Sequence, residues 1–284
     1  MKLQSLFFGT LIATMCLDTL GAKTTVNLQK AFDNRCIKAK AICTGGLNLE
    51  FVVTNLLNDS LTLILPAGWR FNSNDPKNDY QDILVTHQEY LSLKSNATKK
   101  FYIKGYCCEA TKSGPVQGIA YTLGKMADTN LVKLAWYLNT NHFDSNTEQC
   151  SVWAISDKQE TGHISCKNDS MGTLLRRYVA NIKGEPIPWF TLLKRVNISN
   201  FGDVSSKPVS FNASINIVNP EVCYVYCYIV DSSGQYVSQI LGNWLLAGEK
   251  VYIANFNVAH LKKGTYKLVM MGKKTPLFER SFNI

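Results

Sequence analysis

Gly184-Glu185-Pro186-Ile187-Pro188 restricts this chain more than any other five residues. Each proline lacks a backbone donor and drives the residue before it out of helical geometry, so neither a helix nor an interior strand can run through the segment. The chain is therefore expected to divide here. A chain of 284 residues is also long for a single small core. We expect a first domain over residues 23–188, a linker over 189–205 and a second domain over 206–284.

Upstream of the break the texture is first that of strands. Leu47, Leu49, Phe51 and Val53 alternate with more polar residues, and residues 60–65, 81–85 and 99–105 supply further short runs between Asn-, Asp-, Pro- and Gly-rich turns. Helical spacing follows at 128–139, where Leu131, Leu134, Ala135 and Leu138 recur behind a capping Asp128. Further helices are expected from Asn146 to Ser156 and over 170–182, the latter with Leu174, Leu175, Tyr178 and Val179 as its apolar face. Downstream the chain returns to strands at 209–218, 223–230, 236–241, 250–256 and 264–271, with a last one near the terminus. Asp231-Ser232-Ser233-Gly234 is a hairpin signal between two of them. The fold class that follows is mainly β with inserted helices.

Lys2, an apolar run over 3–17 and the small pair Gly21-Ala22 read as an export signal over residues 1–22. The run is too short for a span, and no later stretch approaches the roughly 20 apolar residues that a membrane helix needs, so no transmembrane segment is expected. The formal charge is +9, which favours acidic glycans as partners. Lysine and arginine are scattered rather than striped, so nucleic acid is not expected. Outside the leader lie Cys36, Cys43, Cys107, Cys108, Cys150, Cys166, Cys223 and Cys227. Export permits disulfides, with Cys36–Cys43 and Cys150–Cys166 as candidate pairs. Cys223 and Cys227 stand four apart on one strand, roughly 13 Å by strand rise, and read as small core residues. No paired C-x-x-C set exists and the four histidines have no evident partners, so neither a metal nor a cofactor is expected. Without an H-E-x-x-H or a G-x-S-x-G, and with nothing to set Asp79 and Asp82 across a substrate, no catalytic residue is assigned and no enzyme is expected.

Two short segments remain. Gly105-Tyr106-Cys107-Cys108-Glu109-Ala110 places a cysteine after an aromatic residue at a strand end, and Glu148-Gln149-Cys150-Ser151-Val152-Trp153 opens a helix. Ser145 with Glu148, and Asn146 with Gln149, have capping-box spacing. Unpaired donors and the positive dipole end of such a helix suit a thiolate or an oxyanion. The pair of segments resembles the two motifs of bacterial surface thioester domains, with Glu148 where that family often has Thr and Ser151 where it often has Ala. The resemblance implies a thioester-domain-like first module in which the Cys107 sulfur and the Gln149 side-chain carbon form an internal thioester that captures amines on a surface protein. Tyr106 and Trp153 are the candidate shields. The bland alternative for these residues is a buried cysteine and a helix-capping amide.

Residues 228–234, Leu246-Ala247-Gly248 and Leu261-Lys262-Lys263-Gly264-Thr265-Tyr266 resemble the immunoglobulin-like domain at the carboxyl end of flagellar hook-capping proteins and of many secreted Bacteroidetes proteins. This implies an immunoglobulin-like sandwich serving as a stalk, spacer or type IX sorting tail. The expected product is a secreted or cell-surface adhesin-like protein, at the outer surface or in the periplasm if Bacteroidetes-like. The alternative is a noncovalent structural or glycan-binding module with no reactive site.

Overall fold

A computed structural model of the chain describes residues 24–73, 75, 79–198 and 204–284. The expected leader, 1–22, lies outside the described residues. The first domain opens with β1 (Thr24–Asn27), α1 (Leu28–Asp33), β2 (Ile37–Gly45), β3 (Asn48–Asn55), β4 (Leu61–Leu65), β5 (Trp69–Ser73), β6 (Ile83–Leu84), β7 (Glu89–Leu93), β8 (Thr98–Lys104), β9 (Tyr106–Cys107) and β10 (Ala120–Met126). Seven strands form one sheet in the order β8-β3-β2-β10-β5-β6-β9, and β1-β4-β7 form a second. The alternation in β3 has the expected result, since Leu49, Phe51 and Val53 are fully buried. They meet Phe71, Leu63 and Trp69 in the principal core. The strand expected over 81–85 shortens to β6, because the Gln81 N–H turns away to the Ser113 carbonyl.

Three helices then pack against the β9 end of the large sheet. In α2 (Thr129–Thr140) the Asp128 side chain accepts from the Asn130 and Leu131 N–H groups, and Leu131, Leu134, Ala135 and Leu138 are buried as their spacing requires. Next come α3 (Ser145–Ser156) and α4 (Asp169–Lys183). Gly184 ends α4 with φ +68°, the left-handed geometry that glycine adopts without a Cβ penalty. One residue of the expected α4 face is turned out: Leu174 is 49% exposed, while Leu175, Arg176, Val179 and Ala180 are buried. No helix among the described residues is long and apolar enough to cross a membrane.

The second domain is a seven-stranded sandwich of β11 (Phe190–Ile198), β12 (Val204–Asn219), β13 (Cys223–Val230), β14 (Leu241–Leu245), β15 (Gly248–Asn257), β16 (Thr265–Met271) and β17 (Pro276–Asn283). One sheet runs β11-β12-β15 and the other β14-β13-β16-β17, an immunoglobulin-like arrangement of two facing antiparallel sheets. Phe211, Phe256, Phe282, Ile215 and Leu268 fill it, with Cys223 and Cys227 as buried core residues on the β13 face shared with Val225 and Ile229. The turn at Asp231–Gly234 forms, with Gly234 at φ +85° and the Asp231 side chain accepting from the Ser233 and Gln235 N–H groups. The returning strand, however, is 241–245 rather than 236–241. Beyond the Val230–Tyr236 bridge the Val237 N–H still donates to the Ile229 carbonyl and the Ser238 hydroxyl accepts from the Ile229 N–H, but a regular ladder with β13 resumes only where Leu241 meets Cys227.

Much of the described part of the expected linker is a strand. Its residues 190–198 are β11, paired with β12 along its whole length, with Phe190 and Leu192 in the sandwich core. A bulge in this pairing, between Leu193 and Lys194, alters the register, and beyond it Val196 and Ile198 pack against the core of the first domain. One strand thus serves both domains. His163, in a 3₁₀ turn before α4, adds a second tie: Lys194 Nζ lies 2.9 Å from its Nδ1, and its Nε2 lies 3.4 Å from the Asn283 carbonyl on β17.

Candidate functional site

The start of α3 explains how distant segments meet. Asp144 is the N-cap, and its side chain accepts from the Thr147 N–H at 3.0 Å. The cap therefore sits one residue before the Ser145–Glu148 spacing expected to supply it. Its neighbours are freed for other work. Thr147, Glu148 and Gln149 are all buried, and buried polar groups in a first turn must find partners.

Each finds them on a different element. Asn146 reaches β11, donating to the Lys194 carbonyl at 3.1 Å and accepting from the Val196 N–H at 3.0 Å. Thr147 donates to the Ser165 carbonyl at 2.6 Å. Glu148 accepts from the Thr86 hydroxyl at 2.9 Å and sits 3.1 Å from His87 Nε2. His87, expected to have no partner, thus has a buried carboxylate contributed from 61 residues away. Gln149 reaches β9, where its Oε1 accepts from the Cys107 N–H at 3.0 Å and its Nε2 donates to the Cys107 carbonyl at 2.9 Å.

The Gln149 contact has a simple physical cause. β9 is the last strand of its sheet, with only β6 as a neighbour, so its outward N–H and C=O would be buried without partners. The carboxamide offers one acceptor and one donor at the spacing of another strand, and closes the edge. Gln149 keeps 1% of its surface exposed and Cys107 none. The two expected site residues are therefore in direct contact, carboxamide to backbone.

The surroundings of Cys107 are apolar. Cys43, Tyr121 and Trp153 share its core cluster, and the Trp153 indole N–H points to Gln81 Oε1 at 3.4 Å. Burial pushes the Cys107 thiol well above its ordinary pKa, and the neighbouring Cys108, Glu109 and Cys43 push it in the same direction. Tyr106 lies instead among the helices, in the cluster of Leu84, Cys108 and Val152, because adjacent strand residues point to opposite faces. Its hydroxyl pKa is also raised, by burial and then by Glu148. Trp153 is thus packed on the thiol's side of the strand, whereas Tyr106 supports the start of α3.

The flanks of β9 are firmly held. A Cβ on Gly105 would stand 2.3 Å from Ile83 Cγ2 and 2.9 Å from the Leu84 carbonyl oxygen, so only glycine lets the chain pass β6 this closely. On the other side Glu109 accepts from the Asp82 N–H at 2.7 Å and pairs with Arg70. Arg70 Nε donates to Asp82 at 2.8 Å. Asp82 is accordingly a structural anchor, and Asp79 pairs with Lys112 at 3.0 Å.

A cleft of about 410 Å³ opens beside this site, lined by Leu47, Lys104, Ser145, Val196 and Ile198 and reaching Gln149. Two of these residues come from β11, so the second domain walls the cleft of the first. Asn146, Glu148 and Lys104 belong to the site and were not singled out as site residues from sequence; Glu148 and Asn146 gave only a capping signal. Among the described residues all eight cysteines are free. Cys36 precedes β2 and Cys43 lies near its far end, so a strand's length of roughly 20 Å separates the first candidate disulfide pair.

The sequence matches no family model and no curated protein.

Proposed function

We propose that this chain is an exported, adhesin-like protein in which Cys107 and Gln149 condense to an internal thioester that couples to an amine on a surface partner. The observation that carries the reading is the two-point contact of the Gln149 carboxamide with Cys107, made between segments 42 residues apart. The resemblance of both segments to thioester-domain motifs points the same way.

The chemistry balances with the groups at hand. The Cys107 sulfur adds to the Gln149 side-chain carbon, and the oxygen that gains charge is Oε1, already facing the Cys107 N–H. Burial disfavours a free thiolate, so the proton leaves sulfur as the C–S bond forms and passes to Nε2. That nitrogen departs as ammonia and gives up its bond to the Cys107 carbonyl. One thiol and one carboxamide become one thioester and one ammonia. A primary amine then attacks the same carbon, the C–S bond breaks, the thiol regains a proton and the amine is left in amide linkage to residue 149. Exclusion of water by Trp153 and the surrounding core protects the thioester until the amine arrives. The sandwich acts as the stalk that presents the site, and its first strand completes the cleft.

Intact mass tests this directly. Mature protein should weigh one ammonia less than its sequence, methylamine should add its full mass to that species, and Cys107→Ala should abolish both effects. A full sequence mass, with Cys107 alkylated once the protein is unfolded, would leave a noncovalent binding module with inert cysteines.

A further inference from the structure

The cleft beside Gln149 is sparing in charge. Among the described residues its lining includes one cation, Lys104, and no carboxylate. The acids at the start of α3 are turned elsewhere, Asp144 to Thr147 and Glu148 to Thr86 and His87. Lys104 is also held in place. It is the last residue of β8, its Nζ donates to the Ser145 hydroxyl at 2.7 Å, and its ammonium stands 5.6 Å from the centre of the Tyr106 ring. Asn48 and Asn146 add neutral polar groups, and the apolar walls, Leu47, Val196 and Ile198, suit the methylene stem of a lysine side chain.

We propose that this cleft is the entry route for the amine and that Lys104 makes it selective for amines carried beside a carboxylate, such as a lysine flanked by acidic residues. The inference rests on the thioester reading above. An ammonium brought in alongside the reacting amine meets repulsion from Lys104, whereas a carboxylate at the same place meets attraction. Each contribution has the size of a partly exposed ion pair, and together they give a preference of about fivefold at low salt.

Two amines of matched length read this out. Wild-type mature protein is treated with 6-aminohexanoate or 1,5-diaminopentane at equal concentration and low salt, and the rate of mass gain is followed, with the diamine rate halved for its two amines. The acid should react about fivefold faster, and added salt should erode the difference. Lys104→Gln should equalise the rates, while Lys274→Gln, the same loss of charge in the second domain, should leave the preference intact. Asn48→Asp, which sets a carboxylate opposite Lys104 across the β3–β8 pairing, should cancel the preference although the lysine is retained. Equal rates in the wild type, or a preference that survives Lys104→Gln, overturn the selectivity while leaving the thioester standing. A wild-type protein at full sequence mass overturns both.

Discussion

Acidification should weaken this protein through one histidine at the junction of its domains. His163 is buried, with Lys194 Nζ at its Nδ1 and the Asn283 carbonyl at its Nε2. The neutral ring satisfies both contacts, accepting at Nδ1 and donating from Nε2. Burial, then the charge of Lys194, lowers its pKa from 6.5 to about 4, with Lys183 adding to the effect and the Asn283 bond opposing it. In the unfolded chain the ring takes up a proton below pH 6.5, whereas in the folded chain it does so only below about 4. Between those values the unfolded state binds more protons, so stability falls as pH falls. The gap from 6.5 to about 4, at about 1.36 kcal/mol per pH unit, amounts to about 3 kcal/mol. Urea unfolding at a series of pH values from 7.5 down to 4, on wild type and His163→Gln, measures it. The wild type should lose about 3 kcal/mol more than the variant over this window. Glu109 and Asp157, whose carboxyls are raised mainly by burial, push the other way, and the comparison cancels them. Parallel pH profiles in the two proteins, or a His163 ring that titrates near 6.5 by NMR, would refute the reasoning.

Three further outcomes follow from the packing. A fragment of residues 186–284 should melt cooperatively, whereas one of 200–284 should not, because it lacks Phe190 and Leu192 from the sandwich core, a loss of about 3–6 kcal/mol of apolar burial; calorimetry of the two separates these cases. Gly105→Ala forces the β6–β9 pairing apart, since its Cβ would meet Ile83 and the Leu84 carbonyl, and should cost about 1–3 kcal/mol in urea unfolding; an unchanged midpoint would mean that the strands separate freely. Glu148→Ala leaves the buried Thr86 hydroxyl without its acceptor and should lower stability by about 1–3 kcal/mol, read from the thermal midpoint; an unaltered midpoint would show that another acceptor replaces it.

What the sequence determined by itself was local. Asp128 and Gly184 mark helix ends because capping acts within one turn of chain. Leu49, Phe51 and Val53 point inward because alternation fixes the face of a strand. The four-residue spacing of Cys223 and Cys227 was enough to make them core residues rather than a bridge. The motifs flanking Cys107 and Gln149 were visible for the same reason, each being contained in a few consecutive residues.

The tertiary structure decided the pairings. The turn at Asp231–Gly234 was legible, but where the chain rejoins β13 depends on Leu241 meeting Cys227, a choice of register that no local pattern contains. Residues 190–198 of the expected linker became β11, because the strand's two halves bury their apolar residues against different domains across a bulge; its alternation makes sense only when both partners are present. His87 gained Glu148, and Asn146 gained the backbone of β11, across separations of about fifty to sixty residues. The contact between Gln149 and Cys107 is of the same kind. Two recognisable segments suggested that they could meet, but it is the buried, unpaired edge of β9 and the buried first turn of α3, each needing a donor and an acceptor, that hold the carboxamide against the cysteine.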